Sequence, residues 1–450
     1  MDEELRALLF IHRNEHGLNR CPQNFSHEKI KQVSSVLQSY GYHEWSKNPR
    51  IYTALYAIDE QHEMGLFLEK GVNDMCLPYD SRSFPGAFKT AKLKNKFLKA
   101  QKHVLSTQNE LSNGKHLNVQ TMHDLSINVG KHLGKGAESV EVVEVSQDGR
   151  AYAIKLMRRG TVLDIDLKVL RKFEIELQNA KKVRHHHVVQ ITASFTDVDH
   201  FGIVMGTVGE HNLTEYLLSP SKQLKVLKSL FICLASGLKA IHGASLRHKD
   251  IKPENIVLRG NIPYYTDFGL ARDFEGTGST TTGVVWGCTR RYAAPEVTDS
   301  SPRNTSSDLW SLGAVFLEIA TVLFHGPIAQ FRAYLGNHGT TSLDYSLNPE
   351  GLYEWINIIR QKSADDSPLR WIESLIEVEP RSRPKATELF ETIAEDMKRD
   401  YTKNCVCRHC IQEIKSILMN LPFVPRPSTT PSVVRPYALG LQHYNLASAW

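Results

Sequence analysis

Apolar residues recur at helical spacing through the first hundred or so positions of the chain. This spacing predicts four helices. One face of each helix carries, in chain order, Leu5, Leu8 and Leu9; Ile30, Val33 and Leu37; Ile51, Leu55 and Ile58; and Leu93, Phe97 and Gln101. Gly41 is placed to end the second helix, the third begins near Pro49, and the fourth runs from about Phe88 to Val104. Residues 1–107 are therefore predicted to form an all-α module for interaction or regulation.

The fourth of these helices has a second, basic face, on which Lys92, Lys96 and Lys99 recur. Such a face could contact an anionic lipid surface or a partner, but charge runs on helices are usually solvated, and a solvated face is what we expect. Residues 1–107 contain neither a cluster of metal ligands nor a glycine-rich phosphate turn, so the sequence does not reveal what this module binds.

The pattern changes after a polar segment, residues 108–123, which is predicted to be a linker. β-Branched residues then predict strands at Leu125 to Val129, Val140 to Val145, Ala151 to Leu156 and Phe201 to Val204. Helical periodicity predicts helices at Leu170 to Val183, Leu213 to Leu218 and Val226 to His242. Strands are therefore predicted first in this part of the chain, and helices predominate later.

The last segment, residues 400–450, is predicted to contain one helix and an extended or disordered tail. The helix has an apolar face formed by Ile411, Ile414, Ile417 and Leu418, and the tail from Pro422 to Pro436 is rich in proline, serine and threonine.

Composition narrows the class of protein only slightly. The chain has 450 residues, of which 41% are hydrophobic and 23% charged, and its net charge of +5 is too small to indicate nucleic acid or a membrane surface. The seven cysteines are an odd, scattered set, unlike a disulfide framework. The acidic start does not resemble a secretory signal, and the longest apolar run, Leu312 to Phe324, is too short to span a bilayer. We expect a soluble intracellular protein, cytoplasmic or nuclear, with no transmembrane segment.

The clearest candidate chemistry lies in His248-Lys249-Asp250-Ile251-Lys252-Pro253-Glu254-Asn255, followed by Asp267-Phe268-Gly269. Transfer of a phosphoryl group from a metal-bound nucleotide needs a carboxylate to orient a hydroxyl, a cation to neutralise charge, and hard oxygen ligands for magnesium. These two stretches supply all three. They resemble the catalytic loop and the metal-binding motif of eukaryotic-type protein kinases.

Upstream features agree with this resemblance. Between the first two predicted strands of the β-rich part lies a glycine turn, Gly134-Lys135-Gly136, where backbone amides can approach phosphate oxygens. The third strand contains Ala153-Ile154-Lys155, which resembles the family's nucleotide-contacting strand. The resemblance therefore implies an α+β, two-lobed kinase fold over residues 124–399, with a small β-rich lobe and a larger helical lobe, that binds ATP and Mg²⁺.

The resemblance assigns roles to individual residues. It implies that Asp250 positions the substrate hydroxyl and that Lys252 lies against the transferring phosphoryl group. Magnesium would be bound by Asn255 and Asp267. Lys155 would contact the nucleotide phosphates and be held by Glu176 of the following helix, with Glu174 as a rival on another face.

Four further features are implied. Met205 and Thr207 would lie at the hinge between the lobes, where backbone groups hold the adenine. Lys252 and Thr289 indicate a serine/threonine rather than a tyrosine kinase. Asp308 would hold the backbone of the catalytic loop. Glu296 would pair with Arg383.

Three positions depart from the family pattern, one of which is Gly206, where the family often has an acidic residue that forms an ion pair. Lys249 stands where arginine is usual, and it offers a phosphorylated loop a point charge instead of a bidentate fork, which predicts weaker gating by phosphate. Ser139 stands at the third glycine position of the turn. The loop before Thr289 contains Thr277 and Ser279 to Thr282, which suit either autophosphorylation or a plain polar loop.

The resulting hypothesis is a serine/threonine kinase that transfers the γ-phosphoryl group of Mg-ATP to a protein hydroxyl. The alternative is a kinase-fold scaffold without catalysis, which would recruit partners through the nucleotide site or the N-terminal helices. No nucleic acid partner is expected, and a protein partner of the N-terminal helices is possible.

Two groups of soft ligands have no place in this hypothesis. Cys405, Cys407, His409 and Cys410 could bind zinc, but no second ligand pair follows at the usual distance, which favours thiols at the start of a helix. His185-His186-His187 could bind a metal, but adjacent side chains point in different directions, which favours a surface loop.

Overall fold

The computed structural model describes residues 1–9, 12–13, 19–20, 24–81, 83–85, 90–107, 109–112, 114–135, 140–274, 289–301, 304–398 and 405–420. Within these ranges, a helical N-terminal module precedes a small β-rich lobe and a larger helical lobe, which is the predicted α+β architecture. Several predicted features lie outside the described residues: Phe88, Gly136, Ser139, Thr277, Ser279 to Thr282, and the segment from Pro422 to Pro436.

In its described residues, the N-terminal module has short helices and one pair of two-residue strands. Its elements are α1 (Asp2–Leu9), β1 (His12–Arg13), β2 (Asn19–Arg20), α2 (His27–Ser39), α3 (His43–Ser46), α4 (Pro49–Tyr56), α5 (Met64–Glu69) and α6 (Ala91–Ala100). The Ser26 side chain caps α2 by accepting the backbone N–H of Lys29 at 3.3 Å, and Gly41, at φ +83°, follows its end as predicted.

Helix α6 is shorter than the predicted helix, because its last turn tightens into a 3₁₀ helix at Gln101–Val104. Its two faces are as predicted: Phe97 and Gln101 are buried, and the lysines at 92, 96 and 99 are exposed. The Gln101 amide is satisfied inside the module, where it accepts the Tyr79 N–H at 2.8 Å and donates to the Tyr79 carbonyl at 2.7 Å.

The small lobe is built on a six-stranded sheet in the order β3-β7-β8-β6-β5-β4. The strands are β3 (His116–Asn118), β4 (Asn128–Lys135), β5 (Val140–Gln147), β6 (Arg150–Arg158), β7 (Ile191–Thr196) and β8 (His200–Met205). All neighbours are antiparallel except β3 and β7, which are parallel. The predicted start of the first strand at Leu125 is wrong, because Met122–Leu125 forms a 3₁₀ helix with a Thr121–Asp124 capping box.

The segment predicted as a linker contributes the edge strand β3 and is therefore part of the sheet. The imidazole of His116 lies between two hydroxyls of β7, with Nδ1 3.0 Å from Ser194 Oγ and Nε2 3.2 Å from Thr196 Oγ1. Burial among these neutral groups lowers the pKa of His116 to about 3, so the ring is neutral in the folded protein.

Helix α7 (Leu163–Lys182) joins the N-terminal module to the sheet. It begins seven residues earlier than predicted and shares one hydrophobic core with both neighbours. This core includes Leu37, Leu55, Phe67, Phe84 and Phe97 of the module, Leu170, Phe173 and Leu177 of α7, and Phe201 and Ile203 of β8. The module therefore packs directly on α7.

The large lobe is mostly helical, with three short strand pairings. Its helices are α8 (Leu213–Leu218), α9 (Leu224–Gly243), α10 (Pro295–Thr298), α11 (Ser306–Phe324), α12 (Ile328–Leu335), α13 (Pro349–Lys362), α14 (Ser367–Leu375), α15 (Ala386–Met397) and α16 (Arg408–Asn420). Its strands are β9 (His211–Asn212), β10 (Leu246–Arg247), β11 (Ile256–Arg259), β12 (Ile262–Tyr265) and β13 (Arg272–Asp273). β11 pairs with β9 and β12, and β10 pairs with β13.

Helix α11 is the one described helix that is long and apolar enough to cross a membrane, but it lies in the interior of the large lobe. Its single buried glutamate, Glu318, accepts hydrogen bonds from the hydroxyls of Tyr292 at 3.0 Å and Tyr345 at 2.6 Å. These partners satisfy a carboxylate that would otherwise be costly to bury, and they identify α11 as a core helix.

Candidate active site

The candidate site lies where β6 and α7 of the small lobe face the segment after β12 in the large lobe. Lys155 on β6 has its Nζ 2.7 Å from Glu176 Oε1 of α7 and 2.8 Å from Asp267 Oδ1. Three elements far apart in sequence therefore meet at one ammonium group. The Lys155 and Glu176 side chains are 13% and 6% exposed, whereas that of Asp267 is 41% exposed and faces the opening.

The charges of this group stabilise one another. Burial alone would lower the pKa of Lys155, but Glu176 and Asp267 outweigh it, and the net pKa is raised. Burial would raise the pKa of Asp267, yet Lys155 lowers it overall, so this carboxylate stays ionised. Burial raises the pKa of Glu176, although Lys155 opposes the shift.

Of the two rival glutamates on α7, the predicted one holds the lysine. Glu176 reaches Lys155, whereas Glu174 Oε1 accepts a hydrogen bond at 2.7 Å from Asn73 Nδ2 of the N-terminal module. Residues two apart on a helix face different neighbours, and here one faces the site while the other faces the module.

A second group of polar side chains surrounds Asp250. Its Oδ2 accepts hydrogen bonds from Lys252 Nζ at 2.6 Å and Asn255 Nδ2 at 2.8 Å. Its Oδ1 accepts one from Thr289 Oγ1 at 3.2 Å, and Lys252 Nζ also donates to Thr289 Oγ1 at 2.7 Å. Asp250, Lys252 and Thr289 thus close a triangle that fixes the carboxylate and places a positive charge beside it.

Asp308 of α11 holds the backbone of the two residues that precede Asp250. Its carboxylate accepts the backbone N–H of His248 at 2.9 Å and of Lys249 at 2.8 Å, as predicted. It also lies 2.9 Å from His242 Nε2 at the end of α9. Burial would raise the pKa of Asp308, but His242 and the backbone amides lower it, so it remains a charged acceptor. His242 belongs to no motif, and nothing in the sequence pointed to this contact.

Two non-glycine residues of the site adopt left-handed backbone conformations. Lys249 has φ +69° and Asp267 has φ +65°, values that cost free energy for residues with a Cβ and cluster at functional sites. The conformation at Asp267 turns its carboxylate toward Lys155, while the next residue, Phe268, is buried beside the His248 ring.

The donor set suits a hard cation and a nucleotide. Asn255 uses its amide nitrogen on Asp250, which leaves its side-chain oxygen for a cation, and Asp267 presents a partly exposed, ionised carboxylate. Gly134 lies in β4 opposite Val142, with open space where a Cβ would be. Met205 ends β8 and is 8% exposed, and Thr207 follows it, half-buried.

The predicted ion pair between Glu296 and Arg383 is present deep in the large lobe. Arg383 binds both carboxylate oxygens, at 2.7 and 2.9 Å, and also donates to the Glu377 carbonyl at 2.7 Å. This bidentate pair anchors the segment that follows Thr289 to the end of the domain.

Comparison with known proteins places these residues within one family. The sequence model of the family described as protein kinase domain matches residues 127–393. The serine/threonine-protein kinase PrkC of Bacillus subtilis is 30% identical over 242 residues, which cover 52% of this chain and 36% of PrkC. The serine/threonine-protein kinase cds1 of Schizosaccharomyces pombe is 28% identical over 271 residues, which cover 58% of this chain and 56% of cds1.

A third similar protein is a probable myosin light chain kinase of Dictyostelium discoideum, 28% identical over 193 residues, which cover 41% of this chain and 48% of that protein. The chain thus spans between about a third and just over half of the length of these three relatives.

Proposed function

The chain belongs to the protein kinase family, and we propose that it is a serine/threonine protein kinase that transfers the γ-phosphoryl group of Mg-ATP to a protein hydroxyl. The observation that carries this proposal is the double contact of Lys155 with Glu176 and Asp267. These contacts draw β6, α7 and the segment after β12 together around one opening, where a nucleotide phosphate would need a cation.

The chain's own residues would prepare the nucleotide side of this opening. Lys155 stays protonated and in place because two carboxylates hold it. Asp267 and the side-chain oxygen of Asn255 would hold magnesium, and Met205 and Thr207 would lie against the adenine. Gly134 would lie over the phosphates. When bound, Mg-ATP supplies the phosphoryl group, and its metal neutralises charge on the transferring oxygens.

Asp250 would orient the substrate hydroxyl and accept its proton. Three donors already fix its carboxylate, so little reorganisation is needed when a hydroxyl enters. Lys252, which lies between Asp250 and Thr289, would neutralise the charge that develops during transfer. The protein positions groups and supplies charge, and it forms no covalent intermediate.

The substrate class follows from the same triangle. Lys252 and Thr289 form one side of the place where the hydroxyl would enter, which supports a serine or threonine side chain as acceptor. The protein substrate itself, and a protein partner of the N-terminal module, are further proposals. None of the five cysteines among the described residues forms a disulfide, which supports an intracellular site of action.

Phosphate incorporation from labelled Mg-ATP tests the proposal. The full chain is incubated with a generic basic protein substrate beside Asp250→Asn. A control, Asp148→Asn, changes an exposed aspartate at a left-handed turn position that asparagine tolerates. We expect incorporation by the wild type and the control, and a loss of at least about a hundredfold in Asp250→Asn.

The competing hypothesis is a non-catalytic scaffold with the same fold. It predicts nucleotide binding without incorporation in all three proteins, and partner binding that survives Lys155→Ala and Asp267→Asn. Binding is measured by the mobility of a fluorescent nucleotide, and folding of each variant by circular dichroism. Folded wild-type protein that binds nucleotide but transfers nothing, with or without residues 1–107, would overturn the kinase proposal.

A further inference from the structure

Cysteine and histidine side chains from two distant parts of the sequence form a buried cluster between α16 and the rest of the large lobe. The loop between α7 and β7 contributes His186 and His187, and the segment that begins α16 contributes Cys407 and Cys410. The ligand atoms of these four residues all lie within 4.8 Å of one another. Contrary to the expected surface loop, His187 is fully buried.

From this arrangement we propose a structural zinc site whose ligands are His186, His187, Cys407 and Cys410. His187 Nε2 lies 3.1 Å from Cys410 Sγ and 3.5 Å from Cys407 Sγ, and His186 Nε2 lies 4.0 Å from Cys410 Sγ. Tetrahedral zinc, with bonds of about 2.3 Å to sulfur and about 2.0 Å to nitrogen, separates its ligand atoms by roughly 3.3–3.8 Å. The measured distances bracket this range, so small rotations of the side chains complete the tetrahedron.

The ligand pattern agrees with this geometry. Cys407 and Cys410 are separated by two residues at the start of a helix, which is the spacing of a zinc-binding cysteine pair. The second pair that the local sequence lacks is supplied by the fold, from a loop about 220 residues earlier. Two thiolates and two neutral imidazoles around Zn²⁺ carry no net charge, which makes burial of the complete site favourable.

The orientation of His187 supports a metal rather than a simple buried imidazole. Its Nδ1 lies 2.8 Å from the carbonyl oxygen of Pro263 in β12. A carbonyl only accepts, so Nδ1 must carry the proton, and Nε2 faces the two thiols with its lone pair. A ligating histidine whose other nitrogen donates to a backbone carbonyl is the usual arrangement at a zinc site.

Two further thiols lie beside the proposed ligands without belonging to them. Cys233 Sγ on α9 is 3.7 Å from Cys410 Sγ, and Cys405 Sγ points to the carbonyl of Cys407 at 3.5 Å. The Cys233–Cys410 separation is well beyond the length of about 2.05 Å of a disulfide bond. Both thiols are fully buried.

The proposed zinc site would attach the C-terminal segment to the loop between α7 and β7, which lies next to the elements that carry Glu176 and Asp267. His186 and His187 follow α7, which carries Glu176. The carbonyl of His187 accepts the backbone N–H of Tyr265 at 2.8 Å, two residues before Asp267. The loop that contains His186 and His187 therefore connects the helix of Glu176 to the strand that precedes Asp267. A metal at this place would hold α16 against that loop.

Metal content of the full chain tests the proposal. The protein is expressed with added zinc, freed of loosely bound metal on a chelating resin, and analysed by mass spectrometry of elements. We expect about one zinc per chain. In Cys407→Ser and Cys410→Ser this value should fall below about a tenth. The control Cys76→Ser, which changes a buried thiol of the N-terminal module, should keep the full value.

Cobalt makes the test independent of whether the variants fold. Replacing zinc by Co²⁺ in the wild type should give the intense visible absorption of a tetrahedral ion and a near-ultraviolet band from thiolate ligands. Cys233→Ser should keep both features, because Cys233 is outside the ligand set. Loss of the metal in Cys233→Ser would overturn this choice of ligands.

Three results would overturn the site as a whole. The first is wild-type protein that retains no zinc and gives no thiolate band with Co²⁺. The second is a folded Cys407→Ser variant with full zinc content. The third is a mass of the intact protein that is lower than that of the reduced chain by two hydrogens for each pair of cysteines in the cluster, which would show that these cysteines form disulfides. None of these results depends on phosphoryl transfer, so the zinc site is tested independently of the proposed kinase activity.

Discussion

Replacing Arg159 by methionine is expected to remove a buried polar link between the N-terminal module and the small lobe. The guanidinium binds the Asp166 carboxylate of α7 at 2.6 Å and donates to the carbonyls of Cys76 at 2.9 Å and Pro78 at 2.7 Å in the module. It also donates to the Asp197 carbonyl at 3.0 Å. One side chain thus joins the module, the first turn of α7 and the end of β7.

The burial of this pair sets the size of the effect. The Arg159 and Asp166 side chains are 3% and 1% exposed. The contribution of about 0–1 kcal/mol that is typical of surface ion pairs therefore does not apply, and the larger cost of breaking a buried pair does. Removing one partner of a buried pair costs about 3–5 kcal/mol, because the other charge is left without compensation. In the variant, Asp166 would keep the hydrogen bond from the Gly160 N–H at 3.1 Å, whereas the carbonyls of Cys76, Pro78 and Asp197 would each lose a donor. We therefore expect a loss of about 4 kcal/mol in the free energy of unfolding.

The chain offers a matched control one position earlier. Arg158→Met makes the same chemical change on an exposed side chain and should alter stability by less than about 0.5 kcal/mol. Urea denaturation of both variants, followed by circular dichroism and tryptophan fluorescence, gives the comparison. Hydrogen exchange should also rise around Cys76 and Pro78 in Arg159→Met alone. A loss below about 1 kcal/mol in Arg159→Met, or equal losses in both, would refute the reasoning from burial.

The other predictions concern activity, pH and packing. Glu176→Gln should lower the rate of phosphoryl transfer about a hundredfold, because Lys155 loses a charged partner, whereas Glu174→Gln should change the rate less than about twofold. Equal effects of the two changes in a steady-state assay would contradict the assignment of Glu176 as the partner of Lys155. Because the pKa of His116 is lowered to about 3 from 6.5, only the unfolded state gains a proton as the pH falls below about 6.5, and stability should drop by about 2 kcal/mol between pH 8 and pH 5. Denaturation at the two pH values should show a drop in stability that is smaller by this amount in His116→Gln than in the wild type, since His27 and His185, whose pKa values are also lowered, contribute equally to both proteins. Gly202→Ala should cost about 3 kcal/mol, because its Cβ would lie 2.1 Å from the Phe195 ring, and the double variant with Phe195→Leu should recover part of that loss in thermal denaturation.

Much of the candidate site could be predicted because its residues lie in short contiguous motifs. Asp250, Lys252 and Asn255 fall within six positions, and the local backbone brings them together with little help from the rest of the fold. The family resemblance selected Glu176 over Glu174 by its distance from the loop after the helix, and the two glutamates do face different partners.

Predictions from local pattern were weakest where pairing with a distant strand decided the structure. The segment 108–123 is polar and looks like a linker, yet His116–Asn118 forms an edge strand because β7 offers it a hydrogen-bonding partner. The strand expected from Leu125 begins at Asn128, because the capping box at Thr121 and Asp124 stabilises a 3₁₀ turn first.

The sequence by itself therefore determined the helices with a clear apolar face, which depend on local spacing. It also determined the fold class and the candidate catalytic groups, through short motifs that resemble those of one family. Only the tertiary structure decided that the N-terminal module shares a core with α7. It alone also joined the two histidines after α7 to the cysteine pair at α16, although each group looked incomplete in its own segment. The physical reason is that a hydrophobic core and a ligand set are completed by residues close in space, and the sequence does not record which distant segments will meet.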